Sequence, residues 1–290
     1  MAGRAGGGAG MSDYQGQRVV LLTQHGKETV VAPALASALG CQVERVGGFD
    51  TDQLGTFTRE QPRPGTQLEA ARRKARIGMT LTGCPIGLGS EGSFGPDPIT
   101  GLFSWNTELL VLLDDRLGLE VVGMAQGAGH AGHLQTAHWE EARRFAERQG
   151  FPAQGLVLRP QDEDDPRLLK DLSDWAGLQV GFERCRDRAE NGQVFLENDL
   201  RAFANPQRMA RIGQAAQDLA QRLRSRCPAC QAPGYGVVQR EGRLPCRRCG
   251  GPSSLWQGER WRCVRCTHAE LRPRADRRWA EPQHCERCNP

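Results

Sequence analysis

Residues 18–46 read RVVLLTQHGKETVVAPALASALGCQVERV. Arg18–Thr23 is a short apolar run of strand type, Gln24–Lys27 is a polar turn, and Glu28–Leu39 carries Val, Ala and Leu at helical spacing with Gly40 as its stop. Gln42–Val46 returns to strand character. A β-α-β opening of this kind needs a helical crossover between parallel strands, and it sets the expectation of an α/β fold.

The pattern continues along the chain. Residues 47–64 are turn-rich, and Thr66 then precedes the helical run TQLEAARRKARIGM, with Glu69 at the third helical position of a capping box. The sequence further predicts a strand over Pro85–Gly89, a Gly/Pro loop over Ser90–Gly101, and strands over Thr107–Leu113 and Leu119–Met124. A helix is expected at Thr136–Gln149, a strand at Gly155–Leu158, a helix at Arg167–Trp175, a strand at Gln193–Leu196 and a long amphipathic helix at Pro206–Arg224. The expected organisation is a disordered Gly-rich tail over 1–16, an α/β domain over 17–225 and a small zinc-ribbon domain over 226–290.

Composition supports two folded units. The 290 residues exceed one average domain and are 38% hydrophobic. No apolar run approaches the length of a membrane helix, and the Gly/Ala-rich start lacks the apolar centre of a signal peptide, so the reading is a soluble, cytoplasmic protein with no membrane partner. Of the 38 basic residues only Lys27, Lys74 and Lys170 are lysine. Charge is uneven: residues 221–290 carry 15 Arg against 6 acids, leaving the rest of the chain net acidic.

Eight of the 11 cysteines form four CxxC knuckles in the tail: Cys227/Cys230, Cys246/Cys249, Cys263/Cys266 and Cys285/Cys288. Thiolates two residues apart can clasp one tetrahedral ion, and four tandem knuckles fit two structural Zn2+ sites better than a disulfide framework or a thioredoxin-like dithiol. Sequential pairing is the default reading; interleaved pairing, with the first and third knuckles sharing an ion, is also open on spacing. A segment with so few apolar residues would take its folding energy from the metal. Its arginines, with Trp256, Trp261 and Trp279, have the composition of a nucleic-acid surface, while the plainer alternative packs the tryptophans in a miniature core.

Three segments of the α/β region suggest chemistry. In Thr23–Glu28, helix-start N–H groups and the Lys27 ammonium are placed to bind phosphate, with Gln24 beside them; this is not a Walker loop, since Leu21 stands at the first glycine. The helix over 65–79 carries Glu69, Arg72, Arg73 and Arg76, ordinarily a solvated face. The loop GLGSEGSFGPDP (87–98) holds Ser90 and two carboxylates, Glu91 and Asp97, at a strand end, a placement that suits Mg2+ or an acidic turn. His130, His133 and His138 form HxxHxxxxH, which is not HExxH and reads as solvated or core histidines. No GxSxG element appears.

Taken in order, LLTQHGKE (21–28), GTQLEAARRKA (65–75), IGLGSEGSFGP (86–96), GLFSWNTELLVLLD (101–114) and FLENDLRAFANPQRM (195–209) resemble the nucleotide pyrophosphatases that hydrolyse inosine and xanthosine triphosphates. That resemblance covers about residues 18–220 and implies the inosine triphosphatase fold, with a mixed sheet. It also implies a Mg2+-dependent hydrolase acting on nucleotides or related phosphate compounds: Lys27 on phosphates, Glu91 and Glu69 on Mg2+, Arg201 or Arg208 on phosphate or base, and Gln24, Arg73 and Ser90 as further substrate contacts. The sequence departs from that family in the first turn, where His25-Gly26 stands for the usual asparagine, and it adds residues 126–190 and the tail. The whole chain is also similar to an uncharacterised bacterial domain-of-unknown-function family with the CPAC, LPCRRCG, CVRC and CERCNP knuckles. A non-catalytic nucleic-acid- or protein-binding module is the alternative function.

Overall fold

The computed structural model describes residues 12–51 and 65–290. Strand β1 (Arg18–Leu22), helix α1 (Glu28–Leu39) and strand β2 (Gln42–Val46) form the expected parallel unit, with Gly40 closing α1 in the left-handed conformation at φ 71°. Helix α2 (Gln67–Thr82) then leads to β3 (Ile86–Pro96), β4 (Ser104–Asp114) and β5 (Leu119–Ala128). The sheet order is β2-β1-β3-β4-β5, parallel through β2, β1 and β3 and antiparallel from β3 to β5.

Strand β3 corrects the expectation of a short strand followed by a loop. Two of its glycines, Gly87 and Gly89, have α2 lying directly on them: a Cβ at Gly87 would stand 2.7 Å from the Ala75 carbonyl oxygen, and one at Gly89 would stand 1.8 Å from that of Ala71. Helix and strand backbones therefore touch, and glycine here marks close approach rather than a turn. Gly89→Ala is expected to cost about 2–3 kcal/mol, because the obstacle is helix backbone and no rotamer relieves it; a urea denaturation midpoint equal to that of the parent would contradict this contact.

The opposite face of the sheet carries α1 and the last helix of the region, α5 (Pro206–Arg224), which lies where the sequence predicts it. Asn205 caps α5 by accepting from the Arg208 amide. Residues between β5 and α5 build a second sheet, β6 (His133–Thr136), β7 (Leu156–Pro160) and β8 (Val194–Asn198), in the order β6-β8-β7, covered by α3 (Trp139–Gln149) and α4 (Trp175–Arg188). It has its own core around Phe145, Leu158, Phe182 and Leu196. The helix expected over Arg167–Trp175 is displaced: Asp171 has φ 64°, and Asp174 caps α4 only at Trp175. Thr136 ends a strand instead of opening a helix.

The expected disorder over 1–16 falls outside the described residues as far as residue 11. From Ser12 the chain is ordered, and Tyr14, 1% exposed, belongs to the main core. The turn-rich stretch lies outside the described residues over 52–64. In the tail, β9 (Gly236–Glu241), β10 (Gly258–Arg262) and β11 (Ala269–Pro273) form an antiparallel meander. Among the described residues no helix is long and apolar enough to cross a membrane.

Candidate functional site

Past the end of β1, the edge of β3 continues without its parallel neighbour. Lys27, the residue before α1, fills that place: its Nζ donates to the Ser90 carbonyl at 3.2 Å and lies 3.3 Å from Ser90 Oγ. On the same face, Gly92 pairs with Glu108 of β4, whose Oε1 accepts from Arg208 Nε of α5 at 2.7 Å and from Asn106 Nδ2 at 3.0 Å. Gly92 leaves room for this pair: a Cβ there would stand 2.3 Å from Glu108 Oε1 and 2.6 Å from Arg208 Nη2, so both side-chain ends would have to shift. Glu108 Oε2 is buried with no hydrogen-bond partner among the described residues.

Glu91 projects to the other face, where Lys74 of α2 donates to its carboxylate at 2.5 Å and Gln67 donates to its carbonyl at 2.8 Å. The two sides meet across Ser90 and Glu91, so three buried cations, Lys27, Lys74 and Arg208, surround two buried carboxylates, Glu91 and Glu108. Burial pushes the Lys27 ammonium down to about 7, and the positive charges of Arg208 and Lys74 push the same way, against the carboxylates of Glu91 and Glu108.

That depression gives a sign. A lysine whose folded pKa lies below its ordinary value of 10.5 opposes folding while both states are protonated, and the penalty fades as pH rises from about 7 towards that value. Lys27→Met is expected to gain stability over the parent near pH 6 and to lose the advantage by about pH 10. Denaturation midpoints that shift equally at both pH values would refute the assignment.

The remaining predicted residues sit elsewhere. Glu69 is exposed and closes the capping box of α2, its carboxylate accepting from the Thr66 amide at 2.8 Å while Thr66 Oγ1 accepts from the Glu69 amide, so it does not join Glu91. Arg73 lies beside it at that helix start. Gln24 bonds Phe49 and Thr51 at the surface. Arg201 is held by Asp199 and Asp171 and lies over the ring of Phe203, which stacks on His25. Asp97 spends its carboxylate on the Thr100 hydroxyl and the amides of Ile99, Thr100, Leu102 and Phe103, pinning the β3–β4 hairpin. The three histidines do not converge: His133 stacks on Phe195, and His130 Nε2 contacts the Gln149 carbonyl.

Magnesium does not fit these residues. Glu91 is neutralised by Lys74, Asp97 serves its own loop and Glu69 is remote. Among the described residues, groups of three or more potential ligands converge only as two cysteine sets.

Those sets are Cys227, Cys230, Cys263 and Cys266, and Cys246, Cys249, Cys285 and Cys288, which overturns sequential pairing. The meander explains why. The first knuckle precedes β9 and the third follows β10, and Gly236 pairs with Arg262, so both lie at one end of the sheet. The second knuckle follows β9 and the fourth follows β11, and Gly258 pairs with both Glu241 and Pro273 at the other end. Cross-knuckle Sγ separations of 3.6–3.9 Å match the ~3.8 Å edge of a tetrahedron with ~2.3 Å metal–sulfur bonds. The first set shares a small core with Leu117 and Leu119 of the α/β region, Tyr235 and Trp261.

The tail's aromatics are largely engaged. Trp256 has the guanidinium groups of Arg240 and Arg274 over its ring at 4.9 and 4.0 Å, and Trp261 has that of Arg272 at 4.2 Å; Trp279 is exposed.

The architecture is thus an α/β region joined to a tail with two four-cysteine groups. The chain belongs to the family described as Domain of unknown function (DUF6671), whose model matches residues 74–290. No curated protein and no solved structure matches it.

Proposed function

We propose that the α/β region binds the phosphate groups of a nucleotide or related compound past the carboxyl end of β1, beside the middle of β3, and hydrolyses it. The observation that carries the reading is the excess of buried positive charge in the Lys27, Lys74, Arg208, Glu91, Glu108 cluster just past the carboxyl end of β1, and open α/β sheets bind their ligands beyond the carboxyl ends of their strands. An arriving phosphate would offset that excess and restore the Lys27 proton. Ser90 and Arg208 would orient it. We also infer that both cysteine sets hold zinc, as structural sites.

The test is calorimetric binding of inorganic triphosphate and pyrophosphate, with pyrophosphate release from a panel of canonical and deaminated nucleoside triphosphates in magnesium buffer. Binding is expected to weaken at least tenfold, about 1.4 kcal/mol, in Lys27→Met, and to fall in the parent as pH rises above about 7. A panel with neither binding nor release would favour a non-catalytic binding module instead.

A further inference from the structure

Strand β5 is the outer edge of the main sheet. Its even-numbered residues point their backbone groups away from β4, and α5 covers most of them: Asp218 accepts from the Met124 amide, while Arg211 donates to the carbonyls of Gln126 and Ala128. The cover stops there. At Glu120 and Val122 the outward amide and carbonyl groups have no partner among the described residues, and an open sheet edge of this kind is a template for another strand.

This open edge borders a groove of about 570 Å3 between β5 and the third knuckle, Cys263/Cys266. Val122, Val238 and Val264 contribute apolar surface, and Val238 and Val264 are 57% and 42% exposed. The groove is also lined by Arg262 and Arg265, exposed arginines with no ion-pair partner among the described residues, whereas most arginines of the tail are paired with acids. The one carboxylate of the lining, Glu120, is held by Arg72 at 2.6 Å. The groove thus offers backbone hydrogen bonds, apolar contact and unsatisfied positive charge.

We propose that this groove is a docking site for an extended acidic peptide, which adds as a strand to β5 at Glu120–Val122 and sets its carboxylates against Arg262 and Arg265. Backbone pairing would supply affinity and the charges selectivity. A peptide is favoured over single-stranded nucleic acid because the open groups suit strand addition, and because Trp261, the aromatic ring next to Arg262 in the chain, already carries the Arg272 guanidinium.

The test measures fluorescence anisotropy of a labelled heptapeptide of alternating aspartate and valine on the metal-loaded full chain. Binding is expected, and it should weaken at least about tenfold in Arg262→Ala/Arg265→Ala, with asparagine in place of aspartate, and when alternate peptide amides are N-methylated. Val122→Pro, which removes an outward N–H without touching the β4 ladder, should do the same. Absence of binding at millimolar peptide overturns the proposal. So does binding indifferent to the arginine substitutions or to N-methylation, and so does tighter binding of a ten-residue deoxythymidine strand.

Discussion

Arg208→Met is expected to destabilise the protein by about 3–5 kcal/mol, the cost of leaving a fully buried carboxylate without its counter-ion. The Arg208 and Glu108 side chains are 2% and 0% exposed, so water cannot replace the lost guanidinium. Asn106 alone would remain on Glu108 Oε1, with Oε2 already unpartnered. The double substitution Glu108→Leu/Arg208→Leu, which removes both charges, should recover most of the loss. Urea denaturation of the parent and the two variants decides the matter; a cost below about 1 kcal/mol in Arg208→Met would mean that the pair is not buried as described.

The second large effect concerns metal stoichiometry. Native mass spectrometry of the intact chain is expected to find about two zinc ions. Cys227→Ser/Cys263→Ser should lose one, because both ligands belong to the same set, whereas Cys227→Ser/Cys246→Ser should lose both. Sequential pairing predicts the reverse. The sets also differ in reach. Loss of the first ion should loosen the contact with Leu117 and Leu119 and lower the thermal midpoint of the α/β region, while loss of the second should leave it within a few degrees.

Much of the fold was legible because local rules decide it. The β1-α1-β2 unit and α5 follow from apolar periodicity and caps, and no tertiary contact opposes them. Strand β3 was not legible, because Gly87 and Gly89 answer to a helix packed across the sheet, and a glycine required by a neighbour reads in sequence as a glycine required by a turn. In the candidate site, Lys27, Ser90, Glu91 and Arg208 were named from the sequence. Lys74 and Glu108, their partners, were missed because each pair joins residues distant in sequence, Glu108 and Arg208 by 100 residues. One signal was available: the chain has only three lysines, and two of them are buried in this cluster. Glu69 misled because the same carboxylate that suits a metal also suits a capping box, and the capping box is what the structure shows.

The crossed cysteine pairing has a consequence for chain entropy. Sequential sites would close loops of about 25 residues in the unfolded tail, whereas the crossed sets close overlapping loops of about 40, an extra entropic cost of only about 0.4 kcal/mol per ion. For that small increment each bound ion would tie together segments flanking two different strands, so that releasing either one would leave the other bracing the meander.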